Sequence, residues 1–167
     1  MLLLNLPPTP VGRLAPADCQ SLHDWHTLVT NTFGHNLLRN AAARHLTAGQ
    51  ARALLGGNYA TYWTAPAGDT TATLDFTFAT PQTFDVLLQE NIAVGQRIEQ
   101  FQLEYQGAGG AWRTAAAGTT VGYKRLLRFA PVTTRRLRLR IEAAQLTPTL
   151  AALGVYKQAA LSRPSTH

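Results

Sequence analysis

Pro131-Val132-Thr133-Thr134-Arg135-Arg136-Leu137-Arg138-Leu139-Arg140-Ile141 alternates over its second half, with Leu137, Leu139 and Ile141 set between Arg136, Arg138 and Arg140. Successive side chains of a strand point to opposite faces. One face of this segment is therefore apolar and the other cationic, as in a strand with one side on a core and one in water. Similar runs lie upstream. Leu74, Phe76 and Phe78 alternate with Thr73, Asp75 and Thr77; Phe84, Val86 and Leu88 alternate with Asp85 and Leu87; Phe101, Leu103 and Tyr105 alternate with Gln102 and Glu104. Turn clusters such as Gly107-Ala108-Gly109-Gly110 and Ala130-Pro131 separate them. Short alternating strands with turns between them, and no helical pattern intervening, predict a mainly β fold, an antiparallel β-sandwich or jelly roll over residues 53–158.

Upstream of residue 53 the period changes. Cys19, Leu22, Trp25 or His26, Val29 and Phe33 recur at spacings of three and four. That spacing predicts one amphipathic helix from Pro16 to Phe33, with proline in its first turn, Asp18 near its positive end and Gly34 as its stop. Cys19 falls on the apolar stripe and is expected to be a small buried hydrophobe. Leu2-Leu3-Leu4-Asn5-Leu6 reads as a short strand and the prolines after it as a loop. Residues 1–35 thus form a strand-plus-helix unit, residues 36–52 an alanine-rich connector, and residues 159–167 a tail.

Composition narrows the function classes. The 167 residues are 46% hydrophobic, enough for a core, and only 14% charged. One cysteine excludes an internal disulfide framework and a multi-cysteine metal site. No apolar run approaches the ~18 residues of a membrane span, and the start is too short and proline-punctuated for a signal peptide and lacks a basic leader. The net charge is +6. Eight of the 15 bases lie in one acid-free block: Arg113, Lys124, Arg125, Arg128, Arg135, Arg136, Arg138 and Arg140. The seven other bases and nine acids leave the remainder slightly negative. The basicity is local. A nucleic-acid groove would interleave aromatics with the cations, and the Arg136–Arg140 alternation has none, although Trp112, Tyr123 and Phe129 lie in the wider block. The arginines read first as the solvated outer face of a sandwich, with polyanion binding as an alternative and nucleic acid a minor one.

Catalytic signatures are missing. Ser21, Ser162 and Ser165 are the only serines, and none lies in a Gly-x-Ser-x-Gly turn. No glycine-rich phosphate loop precedes a helix. His23 and His26 could share a helix face, but two histidines do not make a metal site. No catalytic residue, metal or cofactor is assigned. The polar stretches 89–97 and 118–125 join predicted strands, and Glu90, Gln96, Arg97, Tyr123, Lys124 and Arg125 are the candidate contacts there for sugar hydroxyls or for a domain interface. A Glu90–Arg97 pair that merely fixes its loop is the competing reading.

Leu2-Leu3-Leu4-Asn5-Leu6-Pro7-Pro8-Thr9-Pro10-Val11-Gly12-Arg13-Leu14 resembles the end of the catalytic barrel of family 29 glycoside hydrolases, the α-L-fucosidases. The runs Leu88-Gln89-Glu90, Gly95-Gln96-Arg97-Ile98, Gly118-Thr119-Thr120-Val121-Gly122-Tyr123-Lys124-Arg125 and residues 131–139 resemble the C-terminal sandwich of the subgroup acting on 1,3- and 1,4-linked fucose. That sandwich is a galactose-binding-like, discoidin or coagulation factor 5/8 type C domain. The resemblance implies a non-catalytic carbohydrate-binding-like module. The family's Asp nucleophile and carboxylic acid/base lie upstream of Met1, so no activity is expected of this chain alone. The implied partners are a glycan, fucosylated or galactose-containing, or a fucosidase catalytic domain on which the sandwich packs as a structural element. The implied parent is an exported bacterial enzyme, periplasmic or extracellular.

Two departures from the family pattern matter. Many such modules hold calcium with Leu-Leu-Asp-Gly-Asn near the first strand and a Glu just before a final Gly-x-Tyr. Here Gly56 stands for the Asp in Leu54-Leu55-Gly56-Gly57-Asn58, and Ala152 for the Glu before Gly154-Val155-Tyr156. Calcium wants six to eight oxygens, usually with carboxylate charge, so the site is expected to be absent or very weak. The second departure is the start. An apolar strand without its barrel neighbours seeks another edge, so residues 1–33 are expected to dock on the sandwich or to self-associate.

Overall fold

The computed structural model describes residues 15–56, 60–89 and 94–157. The expected strand at 2–6 and the tail at 159–167 lie outside them. Helix α1 (Pro16–Phe33) has the expected bounds, with proline in its first turn. It differs from expectation in its surroundings: none of its residues is buried. Leu22 and Trp25 are 55% and 64% exposed and Cys19 is exposed, so the reading of Cys19 as a buried hydrophobe is overturned. The helical spacing does gather the apolar side chains, but among the described residues no element covers them. At its end α1 touches the sandwich, where the Phe33 ring meets Tyr156 edge-on at 5.2 Å.

Residues 36–52 are not a connector. A 3₁₀ turn (Leu37–Asn40), strand β1 (Ala41–Arg44) and most of helix α2 (Ala48–Leu55) occupy them. Asn36, itself buried, stitches this segment to the far end of the chain: its side chain donates to Leu153 O (3.0 Å) and accepts from Leu38 N and Val155 N (both 3.1 Å). Thr47 starts α2 with a reciprocal cap, its hydroxyl accepting from Gln50 N while Gln50 Oε1 accepts from Thr47 N. Leu38 and Leu54 are then fully buried. Alanine-rich sequence has no period to read, and these tertiary bonds decide the structure instead.

The strands that follow are β2 (Trp63–Thr64), β3 (Ala72–Gln89), β4 (Ile98–Gln106), β5 (Trp112–Gly118), β6 (Arg125–Ala144), β7 (Thr149–Leu150) and β8 (Ala152–Tyr156). The main sheet runs β1-β3-β6-β4-β5, with β8 also on β3, and β2 pairs β7 separately. Every pairing is antiparallel. The two long strands fold back on themselves. Residues 125 and 141 of a straight β6 would lie roughly 50 Å apart, yet Ile141 pairs with Phe101 and the Arg125 guanidinium sits 5.7 Å from the Phe101 ring. In β3, Phe78 and Phe84 would be separated by roughly 20 Å if it were straight, and their rings are 5.8 Å apart. The β3–β6 register slips between Thr77 and Gln82, which marks the corner. Each half of β3 and β6 thus belongs to a different layer. Phe76, Phe84, Phe101, Leu103, Leu137, Leu139 and Ile141 fill the space between the layers, each at most 2% exposed. The fold is the expected antiparallel β-sandwich, with the corner at one end and the 94–97, 119–124 and 145–148 loops at the other.

Candidate functional site

The loop end is built by three connections. Gln145 N donates to Arg97 O (2.9 Å), which ties the β6–β7 turn to the start of β4. Arg97 then clamps both loops. Its Nε and Nη2 donate to Val94 O (3.2 and 3.1 Å) and its Nη1 to Thr147 O (2.8 Å). Gln96 reaches the third loop, its Oε1 lying 3.8 Å from where a side chain on Gly122 would begin. Gly122 has φ +66°, which favours glycine there and shapes the turn before Tyr123.

Arg125 braces that third loop. Its Nη1 donates to Thr120 O at 2.6 Å while its guanidinium approaches the Phe101 ring. This works because position 118 has no side chain: a Cβ there would stand 2.7 Å from the Phe101 ring and 3.2 Å from Arg125 Nη2. The five described candidates therefore divide by role. Gln96, Tyr123 and Lys124 face solvent, Tyr123 at 58% exposure. Arg97 and Arg125 are half-buried struts bonded to backbone carbonyls. Glu90 lies outside the described residues. Sequence reasoning missed Thr147, the strut's acceptor, because 50 residues separate it from Arg97.

The cationic face of β6 is largely neutralised. Asp75 of β3 and Glu104 of β4 both pair in register with Arg138. Arg138 Nε binds Asp75 Oδ1 at 2.7 Å, and its Nη1 lies 3.9 Å from Glu104 Oε2. Arg140 reaches Glu104 (3.5 Å) and Glu142 (3.4 Å). Arg138 and Arg136 lie over the Trp112 ring at 4.0 and 5.5 Å, where the ring face attracts cations. The aromatic that the alternation itself lacks comes from β5, on the far side of β4, and it serves to hold the arginines.

The two calcium-motif positions supply no carboxylate. Gly56 caps α2, its N–H donating to Arg52 O (2.9 Å), and a Cβ there would stand 2.6 Å from that oxygen. Ala152 opens β8 with a methyl group. These positions do not fit a hard cation that needs charged oxygens. Among the described residues no group of three or more His, Cys, Asp or Glu converges, and no helix is long and apolar enough to cross a membrane.

Known proteins match this arrangement. The model of the F5/8 type C domain family matches residues 39–152. Alpha-L-fucosidase 1 of Arabidopsis thaliana is 33% identical over 166 residues, covering 93% of this chain and 33% of that protein. A Ruminococcus gnavus GH29 fucosidase solved with fucose superposes with a TM-score of 0.75 at 26% identity, over 89% of this chain and 32% of that one. A chitosan-binding module from a Paenibacillus chitosanase/glucanase shares the fold alone, with a TM-score of 0.60 at 22% identity over 73% of this chain and 98% of its own. The chain spans about a third of the length of the curated relatives it matches. It belongs to the F5/8 type C domain family, as a carbohydrate-binding-like domain matching the C-terminal part of α-L-fucosidases.

Proposed function

We propose that this chain is a non-catalytic sugar-recognition module serving a fucosidase catalytic domain, and that its loop end makes the contact. The observation that carries this reading is the division of labour at the loop end: Arg97 and Arg125 hold the loops, which leaves Gln96, Tyr123 and Lys124 presented on a rigid frame. An exposed tyrosine offers a flat apolar face to a sugar ring. The amide of Gln96 both donates and accepts, and the Lys124 ammonium donates, which suits paired hydroxyls. The ligand is a neutral terminal sugar, fucose or galactose. Titrating the purified chain with each while following amide resonances tests it. Saturable shifts confined to 94–97 and 119–125, abolished by Tyr123→Ala, support the reading. Flat titrations with both sugars sink it. The chain alone is expected to give no turnover of an aryl α-L-fucoside, and turnover above a blank would overturn the non-catalytic half.

A second role is favoured by α1. An exposed stripe of Leu22, Trp25 and Phe33 on an otherwise compact unit calls for a cover, and the catalytic barrel of a fucosidase is the proposed one. Without it, self-association through residues 1–33 takes its place. Sedimentation then shows a larger species that becomes monomeric when residues 1–33 are deleted. An unchanged state after deletion would count against this role.

A further inference from the structure

At the corner end, some nine residues of β4 away from the sugar-contact loops, an open cleft of about 390 Å³ lies where β3 and β6 fold back. Its size is within the ordinary range for small-molecule sites. Pro81, Gly107, Thr133, Thr134, Arg135 and Arg136 are among its lining, which contains no Asp or Glu among the described residues. Arg113 is not among the lining; its Nε lies 3.3 Å from where a Cβ on Gly107 would begin. The contrast with the adjacent cationic face is sharp. Arg138 and Arg140 have Asp75, Glu104 and Glu142, whereas Arg113, Arg135 and Arg136 form no ion pair among the described residues.

The cleft is also built. Arg136 is steadied over Trp112 (5.5 Å). The Thr134 hydroxyl accepts from Arg136 N (3.0 Å) and donates to Gln106 O (2.8 Å), which fixes the corner to the β4 end. The Thr133 hydroxyl is bonded to that of Thr83 (2.6 Å). Gln106 Nε2 donates to Gly110 O (2.7 Å), and both residues line the cleft. The lining offers two guanidinium forks, Arg135 and Arg136, beside the Gln106 amide. Guanidinium forks match planar or tetrahedral oxyanions, and an amide matches a neighbouring hydroxyl.

We propose that this cleft binds the oxyanion of an acidic sugar, a sulfate ester or a carboxylate, at a second site distinct from the neutral-sugar loops. The choice of a sugar as carrier rests on the carbohydrate reading above; the choice of an oxyanion rests on the arginines alone. Amide titrations at about 20 mM salt, where such contacts are least screened, with galactose 6-sulfate, glucuronate, galactose, inorganic sulfate and a single-stranded oligonucleotide test it. Saturable shifts at 106–110 and 133–136 with either acidic sugar are expected, and the tighter of the two identifies the anion. Galactose is expected to leave those residues unmoved. Arg135→Ala removes an exposed, unpaired side chain and is expected to weaken the acidic sugars roughly tenfold or more while leaving galactose shifts at 94–97 unchanged. No cleft shift with either acidic sugar, or an Arg135→Ala affinity within twofold of the parent, overturns the site. Inorganic sulfate bound as tightly as galactose 6-sulfate overturns the sugar as carrier. An oligonucleotide that moves the cleft at lower concentration than both sugars overturns the proposal in favour of nucleic acid. Cleft shifts with an acidic sugar, alongside no effect of galactose or fucose anywhere, uphold this site and defeat the loop-end reading.

Discussion

Strand β6 and helix α1 carry equally regular amphipathic patterns, and they end up in opposite situations. Leu137, Leu139 and Ile141 are at most 2% exposed, while Leu22 and Trp25 are more than half exposed. The cover for β6 is supplied by its own chain, through the second halves of β3 and β6 and through Leu38 and Leu54. The stripe of α1 has no such cover among the described residues. Periodicity tells which side chains share a face, because that follows from backbone geometry. What lies against the face is a separate question, and in a domain matched to a third of a longer protein the answer can lie on another body.

The sharpest way to break this contrast is to truncate one residue on each side. Leu137→Ala is expected to cost about 2–5 kcal/mol, through lost burial and the cavity left behind. Trp25→Ala is expected to stay within about 0.5 kcal/mol of the parent. Urea midpoints measure both, and a large loss for Trp25→Ala would mean that the isolated chain already covers α1. The glycines give the next effect. Gly118→Ala pushes a methyl into the fully buried Phe101 ring, which cannot yield, and is expected to cost about 1–3 kcal/mol. A Cβ on Gly154 would also collide, at 2.3 Å, but with the Tyr156 ring. That ring is only partly buried and can shift, so Gly154→Ala is expected to cost mainly its contact with Phe33, about 0.5–1.5 kcal/mol. Equal losses for the two glycines would contradict this account.

Among the arginines, Arg138→Ala leaves half-buried Asp75 without its ion-pair partner and takes from buried Glu104 the second of its two cations. A loss of about 1–3 kcal/mol is expected, against none resolved for Arg135→Ala in thermal melts. The smallest effect is the response to alkali. Burial pushes the Tyr156 phenol above its usual value of 10.0, with Arg39 pulling the other way. The neutral phenol is therefore favoured in the fold. Its contribution is fully present below pH 10 and is lost as pH rises through the folded value. Stability should decline above pH 10, and Tyr156→Phe should flatten that slope.

Much of the fold was legible because it rests on period. The facing of β6 follows from spacing alone, and the bounds of α1 from spacing together with Pro16 and Gly34. Strand β1 was not legible, because Ala41-Ala42-Ala43 offers no apolar–polar contrast; it is a strand because residues 75–78 of β3 present it with an open edge. The corner was half visible: Ala79-Thr80-Pro81 breaks the alternation in β3, but pairing carries the strand through it, and the turn predicted at Ala130-Pro131 lies within β6 instead. At the loop end, residue type pointed to the loops that project but could not sort contacts from struts. The roles of Arg97 and Arg125 are set by carbonyls, and carbonyls belong to no residue type. The acid-free cleft was visible only as a basic block, because two of the three acids that pair with Arg138 and Arg140 come from β3 and β4.

The folded-back strands have a kinetic consequence. Because β3 and β6 each run through both layers, neither layer can detach while the other stays intact. Their pairing also joins residues as distant as Ala72 and Ile141, so a long loop must close before much apolar surface is gained. Refolding is expected in the slow range of β-rich domains, milliseconds to seconds. Hydrogen exchange of the central amides in the two layers should then share one opening free energy, the global one.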